Sequence, residues 1–296
     1  MIQRAAANGI EIAYESFGSP TGRPLLLIMG LGAQLIHWDD EFCELLAEQG
    51  HHVVRFDNRD AGLSTHLHDE GVPAWGAPSP YVLDDLADDS AGLMDVLGLP
   101  AAHVVGASMG GMIAQALAIR HPARVLSLTS IMSTPGPQAA PPTEAAAAVL
   151  FAKPATDREG VVAGALTTWA VLGSPGWELD RERVTRLAGL AFDRCHDPAG
   201  TARQLAAIMA SGDRTSALGG LKVPALVIHG EDDQLVPLAG GRATAAAIPG
   251  ARLVTYPGMG HDLPRALWPA IVAEITAHTG SATPARPEPA RPEPAA

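Results

Sequence analysis

His103-Val104-Val105-Gly106-Ala107-Ser108-Met109-Gly110-Gly111-Met112 decides how the rest of this 296-residue chain is read. A short apolar run leads into Gly-x-Ser-x-Gly, and a helix-forming segment from Ile113 to Arg120 continues until Pro122 stops it. A serine on a turn between strand and helix is held in a strained backbone geometry that pushes its hydroxyl into the open. Gly106 and Gly110 flank it because side chains there would collide with the neighbouring strand and helix. The helix N-terminus beneath Ser108 offers free N–H groups and a positive dipole end, which favour an anion forming nearby. The stretch predicts a nucleophilic serine. The competing reading is a glycine-rich turn without chemistry.

Outward from this turn, apolar runs alternate with helical spacings. Asn8-Gly9 before Ile10 to Tyr14 reads as a hairpin turn and an alternating edge strand. Leu25-Leu26-Leu27-Ile28-Met29 is apolar throughout, the mark of a strand buried on both faces. Gly30-Leu31-Gly32 follows, then a helix through Phe42, Leu45 and Leu46 closed by Gly50. Val53 to Phe56 is the next strand, ending in Asp57-Asn58-Arg59-Asp60-Ala61-Gly62-Leu63-Ser64. A helix carrying Val82, Leu86, Leu93, Val96 and Leu97 leads back to the Ser108 strand. Val125 to Thr129, Ala225 to Ile228 and Arg252 to Tyr256 complete the strands. This alternation predicts an α/β fold with a mostly parallel central sheet flanked by helices.

Between Ser133 and Lys222 the rhythm breaks into Ala-rich, Pro-interrupted helical spacing: Thr143 to Phe151, Arg158 to Trp169, Arg181 to Phe192 and Ala202 to Ala210. The strand pattern resumes straight afterwards, so 133–222 is expected to be an inserted helical cap rather than an independent domain. The core is then 1–132 and 223–280. The tail 281–296, with its repeated Ala-Arg-Pro-Glu-Pro, is expected to be disordered.

A hydrophobic share of 47% supports a substantial core, while a net charge of −12 argues against nucleic-acid or anionic-membrane partners. No signal-like apolar stretch opens the chain and nothing later could span a bilayer, so a cytoplasmic protein is expected. Cys43 and Cys195 have no metal-ligand or redox spacing and read as buried free thiols in a reducing compartment. The sequence is compatible with a homodimer but does not specify one.

A serine hydroxyl needs a base, and the base needs an orienting acid. His261, in Pro257-Gly258-Met259-Gly260-His261-Asp262, follows the last apolar strand and so stands at the carboxyl edge of the sheet, where open α/β folds bind ligands. Past the preceding strand stand Glu231, Asp232 and Asp233, which spacing alone does not separate. Two backbone amides would hold the oxyanion: that of Met109 and one from the Gly30-Leu31-Gly32 loop, Leu31 for preference. Met29 and Met109 themselves read as packing residues. His37, His51, His52, His66 and His68 read as surface or loop residues. His66-x-His68-Asp69 lacks a helical pair or a third ligand, so no metal is assigned. Arg59 reads as a structural clamp on loop carboxylates and carbonyls.

Together Ile28 to Gly32, Phe56 to Thr65, Val105 to Gly110, Gly230 to Asp233 and Gly258 to His261 resemble the motifs of the α/β-hydrolase superfamily, over about Gly9 to His278. Within it the chain is most similar to the branch that contains aclacinomycin methylesterase, which hydrolyses a methyl ester on an anthracycline polyketide. The resemblance implies Ser108 as nucleophile, Asp233 as acid and His261 as base, with Leu31 and Met109 as the oxyanion amides. Two departures from many relatives, Met29 before Gly30 and Asp60 in place of a glycine, are shared with that branch. The cap looks shorter than in the anthracycline enzyme, so substrate identity does not carry over.

The expected function is therefore a serine carboxylic-ester hydrolase working through an acyl-enzyme on a small-molecule ester, with no metal or organic cofactor. Phe151, Trp169, Trp177, Phe192 and Met209 are available for an apolar lid, with Trp169, Trp177 and Phe192 as the pocket candidates, and they hint at a bulky apolar substrate. Alternatives on the same three residues are a cofactor-free perhydrolase or haloperoxidase, a carbon–carbon bond hydrolase, and a ligand-binding protein that hardly turns over. A dinucleotide-binding reading of Gly30-Leu31-Gly32 and Asp57 fails at Leu35, where a third glycine belongs, and leaves Ser108, Asp233 and His261 unused.

Overall fold

Alternate residues of the apolar runs face opposite ways, and in the computed structural model, which describes residues 2–73 and 78–281, they feed two separate cores. Leu26, Ile28 and Val104 enter one; Leu25, Leu27 and Val105 enter the other. A strand buried on both faces has to be covered on both, which is why helices flank the sheet on either side.

The strands are β1 (Gln3–Ala7), β2 (Ile10–Phe17), β3 (Arg23–Ile28), β4 (His51–Phe56), β5 (Ala102–Ala107), β6 (Val125–Ile131), β7 (Ala225–Gly230) and β8 (Arg252–Tyr256). They form one sheet in the order β1-β2-β4-β3-β5-β6-β7-β8. Pairing is antiparallel for β1 with β2 and β2 with β4, and parallel elsewhere. From β3 the chain moves outward to β4, then returns to β5 and runs the other way. The order therefore reverses between β3 and β5, and the loops at their carboxyl ends flank the crevice where such sheets bind ligands.

Helix α1 (Asp40–Glu48) supplies Phe42, Cys43 and Leu46 to the second core, together with Trp268, Ile271 and Ile275 of α10 (Trp268–Ser281). Helices α2 (Leu83–Val96) and α3 (Met109–Arg120) supply Leu86, Leu93, Ile113 and Leu117 to the first. Val96, expected on the apolar face of α2, is instead 53% exposed, because the helix ends there and Gly98 turns the chain away. Between β6 and β7 lie α4 (Glu144–Leu150), α5 (Arg158–Leu172), α6 (Arg181–Arg194), α7 (Pro198–Ala210) and the short α8 (Thr215–Leu218); α9 (Leu238–Ala247) connects β7 to β8. Ser281, placed in the tail by composition, closes α10 by donating to the His278 carbonyl (2.9 Å). The rest of that tail lies outside the described residues. Among them, no helix is long and apolar enough to cross a membrane.

Asp60 stands where many relatives carry glycine, and its backbone is in the left-handed region (φ 62°). The side chain is put to use. Its carboxylate accepts from Leu67 N (2.7 Å), the Tyr81 hydroxyl (2.7 Å) and both arms of Arg203 on α7 (2.9 and 2.7 Å). Arg203 is fully buried, so the pair ties the helical insertion to the β4 end of the core. Arg203→Met leaves the Asp60 charge buried without its cation and is expected to cost about 3–5 kcal/mol. Asp60→Gly combined with Arg203→Met should recover most of that in urea unfolding; a double variant as unstable as the single one would contradict the assignment. Arg59 is a clamp as expected, though onto a helix: it grips Asp89 of α2 through two bonds (2.6 and 2.7 Å).

His51 departs from its surface reading. It is fully buried, with Nδ1 against the Leu46 carbonyl (2.9 Å) and Nε2 against the Thr279 hydroxyl (2.8 Å). Burial lowers its pKa and that of His278, and pushes His103 down to about 4, with His51, Arg23 and His278 adding to the effect. The folded chain keeps these rings neutral, whereas the unfolded chain takes up protons as pH falls through ~6.5. Their contribution is therefore fully present above that value and is lost as pH drops toward about 4. Melting temperature should fall across this window, less steeply in His103→Gln; identical slopes in the two proteins would contradict the assignment.

Candidate active site

The turn from β5 into α3 holds Ser108 at φ 56° and ψ −120°, a left-handed geometry that a serine adopts only under constraint. Ser108 N donates to the Ile131 carbonyl (2.9 Å), and the Ser133 hydroxyl donates to the Ser108 carbonyl (2.8 Å). The flanking glycines are steric necessities. A Cβ on Gly106 would stand 2.0 Å from the Gly110 carbonyl oxygen, and one on Gly110 would stand 2.0 Å from the Ile28 carbonyl oxygen.

His261 lies on the loop after β8, with Nε2 3.0 Å from Ser108 Oγ and Nδ1 2.7 Å from Asp233 Oδ2. A carboxylate can only accept, so Nδ1 carries the proton and Nε2 is left to accept from the serine hydroxyl. Asp233 Oδ1 takes two further amides, Leu235 N and Val236 N, both at 2.9 Å, which fixes the carboxylate just past β7. Of the three acids, Asp233 is the one whose carboxylate meets His261. Asp233 is buried, while Glu231 accepts from the Thr255 hydroxyl (2.7 Å) and Asp232 from Gly258 N (2.8 Å), both at exposed positions. His229 lies 3.7 Å from Asp233 but donates to the Val236 carbonyl (2.7 Å), and burial lowers its pKa, so its ring is held neutral.

Gly30 passes so close that a Cβ there would lie 3.1 Å from Ser108 Cβ. The Gly30-Leu31-Gly32 loop therefore runs against the Ser108 turn, whose next residue, Met109, opens α3. Among the described residues neither the Leu31 nor the Met109 amide donates to a protein acceptor. The loop is held from several sides. Asn58 donates to the Met29 carbonyl (2.9 Å), Gly32 N donates to Gln204 of α7 (2.8 Å), and Gln34 donates to the carbonyls of Ala191 on α6 and of Cys195 just past it (2.8 and 2.9 Å). Met109 is buried, in keeping with a packing role for its side chain.

Residues not singled out in the sequence hold the histidine. His261 N donates to the Leu172 carbonyl (2.7 Å), and a Cβ on Gly260 would stand 2.5 Å from the Gly173 carbonyl oxygen. The Ser174 hydroxyl bridges Gly260 N (2.9 Å) and Asp262 Oδ1 (2.5 Å). Burial raises the Asp262 pKa, and the serine hydrogen bond opposes that rise. The segment after α5 is thus the seat of the His261 loop. Of the pocket candidates, Trp177 is half-buried against the second core alongside Met29 and Leu263, beside Gly258. Trp169 is half-buried on α5, and Phe192 lies at the end of α6 against the His196 ring (5.0 Å between centroids). Phe151 and Met209 are exposed, at 56% and 47%.

A hydroxyl, an imidazole and a carboxylate in line at the end of a reversing parallel sheet are features of one class. The chain belongs to the α/β-hydrolase family: the family model described as alpha/beta hydrolase fold matches residues 23–174, and one described as TAP-like protein matches 198–280. Two rhodomycin D methylesterases, DauP of Streptomyces sp. (strain C5) and DnrP of Streptomyces peucetius, are each 32% identical to it over 93% of this chain and 96% of theirs. Among solved structures, the enol-lactonase from Burkholderia xenovorans LB400 matches with a TM-score of 0.75 at 27% identity, covering 94% of this chain and 100% of its own.

Proposed function

We propose that the protein is a carboxylic-ester hydrolase that works through an acyl-enzyme on Ser108. The observation that carries this is the line Ser108 Oγ, His261 Nε2, His261 Nδ1, Asp233 Oδ2, with its spacings of 3.0 and 2.7 Å. His261 takes the hydroxyl proton as Ser108 Oγ bonds to the ester carbonyl carbon. The Leu31 and Met109 amides hold the negative oxygen, a stabilisation of about 3 kcal/mol for each donor at the barrier. Asp233 stays ionised and stabilises the imidazolium. The carbon–oxygen bond to the alcohol then breaks, and the alcohol leaves with the proton from His261. Water, deprotonated by His261, repeats the attack and frees the acid and Ser108.

The helical insertion serves in this reading as a cap, with Trp177, which packs beside Gly258 of the His261 loop, as its pocket candidate. The similarity to two rhodomycin D methylesterases supports a methyl ester with a bulky, apolar acid portion. A panel of methyl esters of fused-ring aromatic acids and of short aliphatic acids, read by methanol release, tests this. Higher kcat/KM on the fused-ring esters is expected, and preference for the short ones would contradict the bulky-substrate assignment. Adding hydrogen peroxide should not divert the acyl group mainly to peracid; if it does, the perhydrolase reading on the same residues replaces this one.

A further inference from the structure

His66 and His68, two residues apart after the β4 loop, lacked a third metal donor in the sequence, and the fold brings one from 131 residues away. Asp197, at the N-terminus of α7, places Oδ2 2.7 Å from His66 Nδ1 and 3.8 Å from His68 Nδ1. The three donor atoms all lie within 4.8 Å of one another, and the two imidazole planes stack at 11°. Donors around a tetrahedral zinc ion at ~2.0–2.1 Å stand about 3.3 Å apart, so the observed spacings bracket the required one. His68, whose side chain is 70% exposed, has room to adjust.

The far nitrogen of His66 supplies the second observation. Nε2 lies 3.0 Å from the Gly62 carbonyl, so both ring nitrogens face acceptors. One N–H can satisfy Gly62, and the other ring nitrogen is turned to the Asp197 carboxylate and the His68 ring. An imidazole that ligates through one nitrogen and donates to a backbone carbonyl through the other is how metal-binding histidines are oriented. Arg203 touches Asp197 Oδ2 at 3.2 Å, but its charge is matched by Asp60, leaving one net negative charge in this group of three. Cys195 Sγ sits 3.5 Å from His66 Nε2, on the side of the nitrogen that donates to Gly62. Burial, with Asp197 and Asp57 nearby, raises the thiol pKa, which argues against a second nucleophilic centre here.

We infer that His66, His68 and Asp197 form a binding site for a divalent transition-metal ion of the zinc type, joining the core loop to the helical insertion. The ion binds the free lone pair of His66 Nδ1, and any proton held there is released to solvent. Two nitrogens and one carboxylate oxygen suit zinc, cobalt or nickel and leave a coordination position for water. The site shares no residue with Ser108, Asp233 and His261, so it does not depend on the hydrolytic reading.

The full chain, freed of metal with a chelator, is titrated with Co2+ followed by visible absorption and with Zn2+ followed by calorimetry. One ion per chain is expected, with Zn2+ displacing Co2+. His68→Ala, at an exposed position that leaves the fold and ester turnover intact, should weaken binding by about tenfold or more, and Asp197→Asn, checked for folding by circular dichroism, should do the same. No saturable binding by the parent, or either variant binding as tightly as the parent, overturns the inference.

Discussion

Ser108→Ala is expected to fold like the parent and to lose ester turnover by about 10⁴–10⁶-fold in kcat. The substitution removes one side-chain hydrogen bond, to His261, and leaves the backbone bonds of the turn in place. Alanine meets the same φ of 56° that serine meets, so the strain of the turn is unchanged. Binding and the Leu31 and Met109 amides survive, which is why some rate enhancement over water remains. Steady-state hydrolysis of p-nitrophenyl acetate, with a thermal melt as the folding control, measures both. A folded variant within about tenfold of the parent would remove the serine from the mechanism.

Asp233→Asn should cost about 10⁴-fold in kcat with little change in stability. The geometry dictates how. Leu235 N and Val236 N both point at Oδ1, so the asparagine carbonyl must keep that position. Its NH2 group then falls where Oδ2 was, 2.7 Å from His261 Nδ1, and donates to it. The imidazole proton is forced onto Nε2, which can no longer accept from Ser108. Asp232→Asn, which disturbs only an exposed bond to Gly258 N, should stay near the parental rate. The same assay on both variants decides between the two acids, and equal losses would contradict the assignment.

Much of this frame was legible in the chain because it rests on local pattern. The runs Leu25 to Ile28 and Ala225 to Ile228 are apolar at every position, which only a strand covered on both faces requires, and they are β3 and β7. Helical spacing and Pro stops located α4 to α7 between β6 and β7. Ser108 and His261 were visible because glycines mark the turns that carry them.

What stayed hidden depends on single contacts between distant residues, for which spacing carries no signal. Which of Glu231, Asp232 and Asp233 turns inward is set by how the chain leaves β7. Gln204 on Gly32, Ser174 on Asp262, Arg203 on Asp60 and Asp197 beside His66 each join residues far apart in sequence. His51 looked like a surface residue because histidine is polar, and only the packing of α1 and α10 around β4 gives its two nitrogens buried partners. Asp60 in a glycine position was visible in the sequence, but its use became clear only with Arg203 in place.

The most direct test of the central claim is the intact mass of the folded chain after exposure to a fluorophosphonate, which bonds to an activated serine and stops. One adduct per chain, mapped to Ser108 and absent from Ser108→Ala and strongly slowed in His261→Ala, is the predicted result. A folded, monodisperse parent that takes up no adduct, or takes it up elsewhere with Ser108 unmodified, would contradict the account.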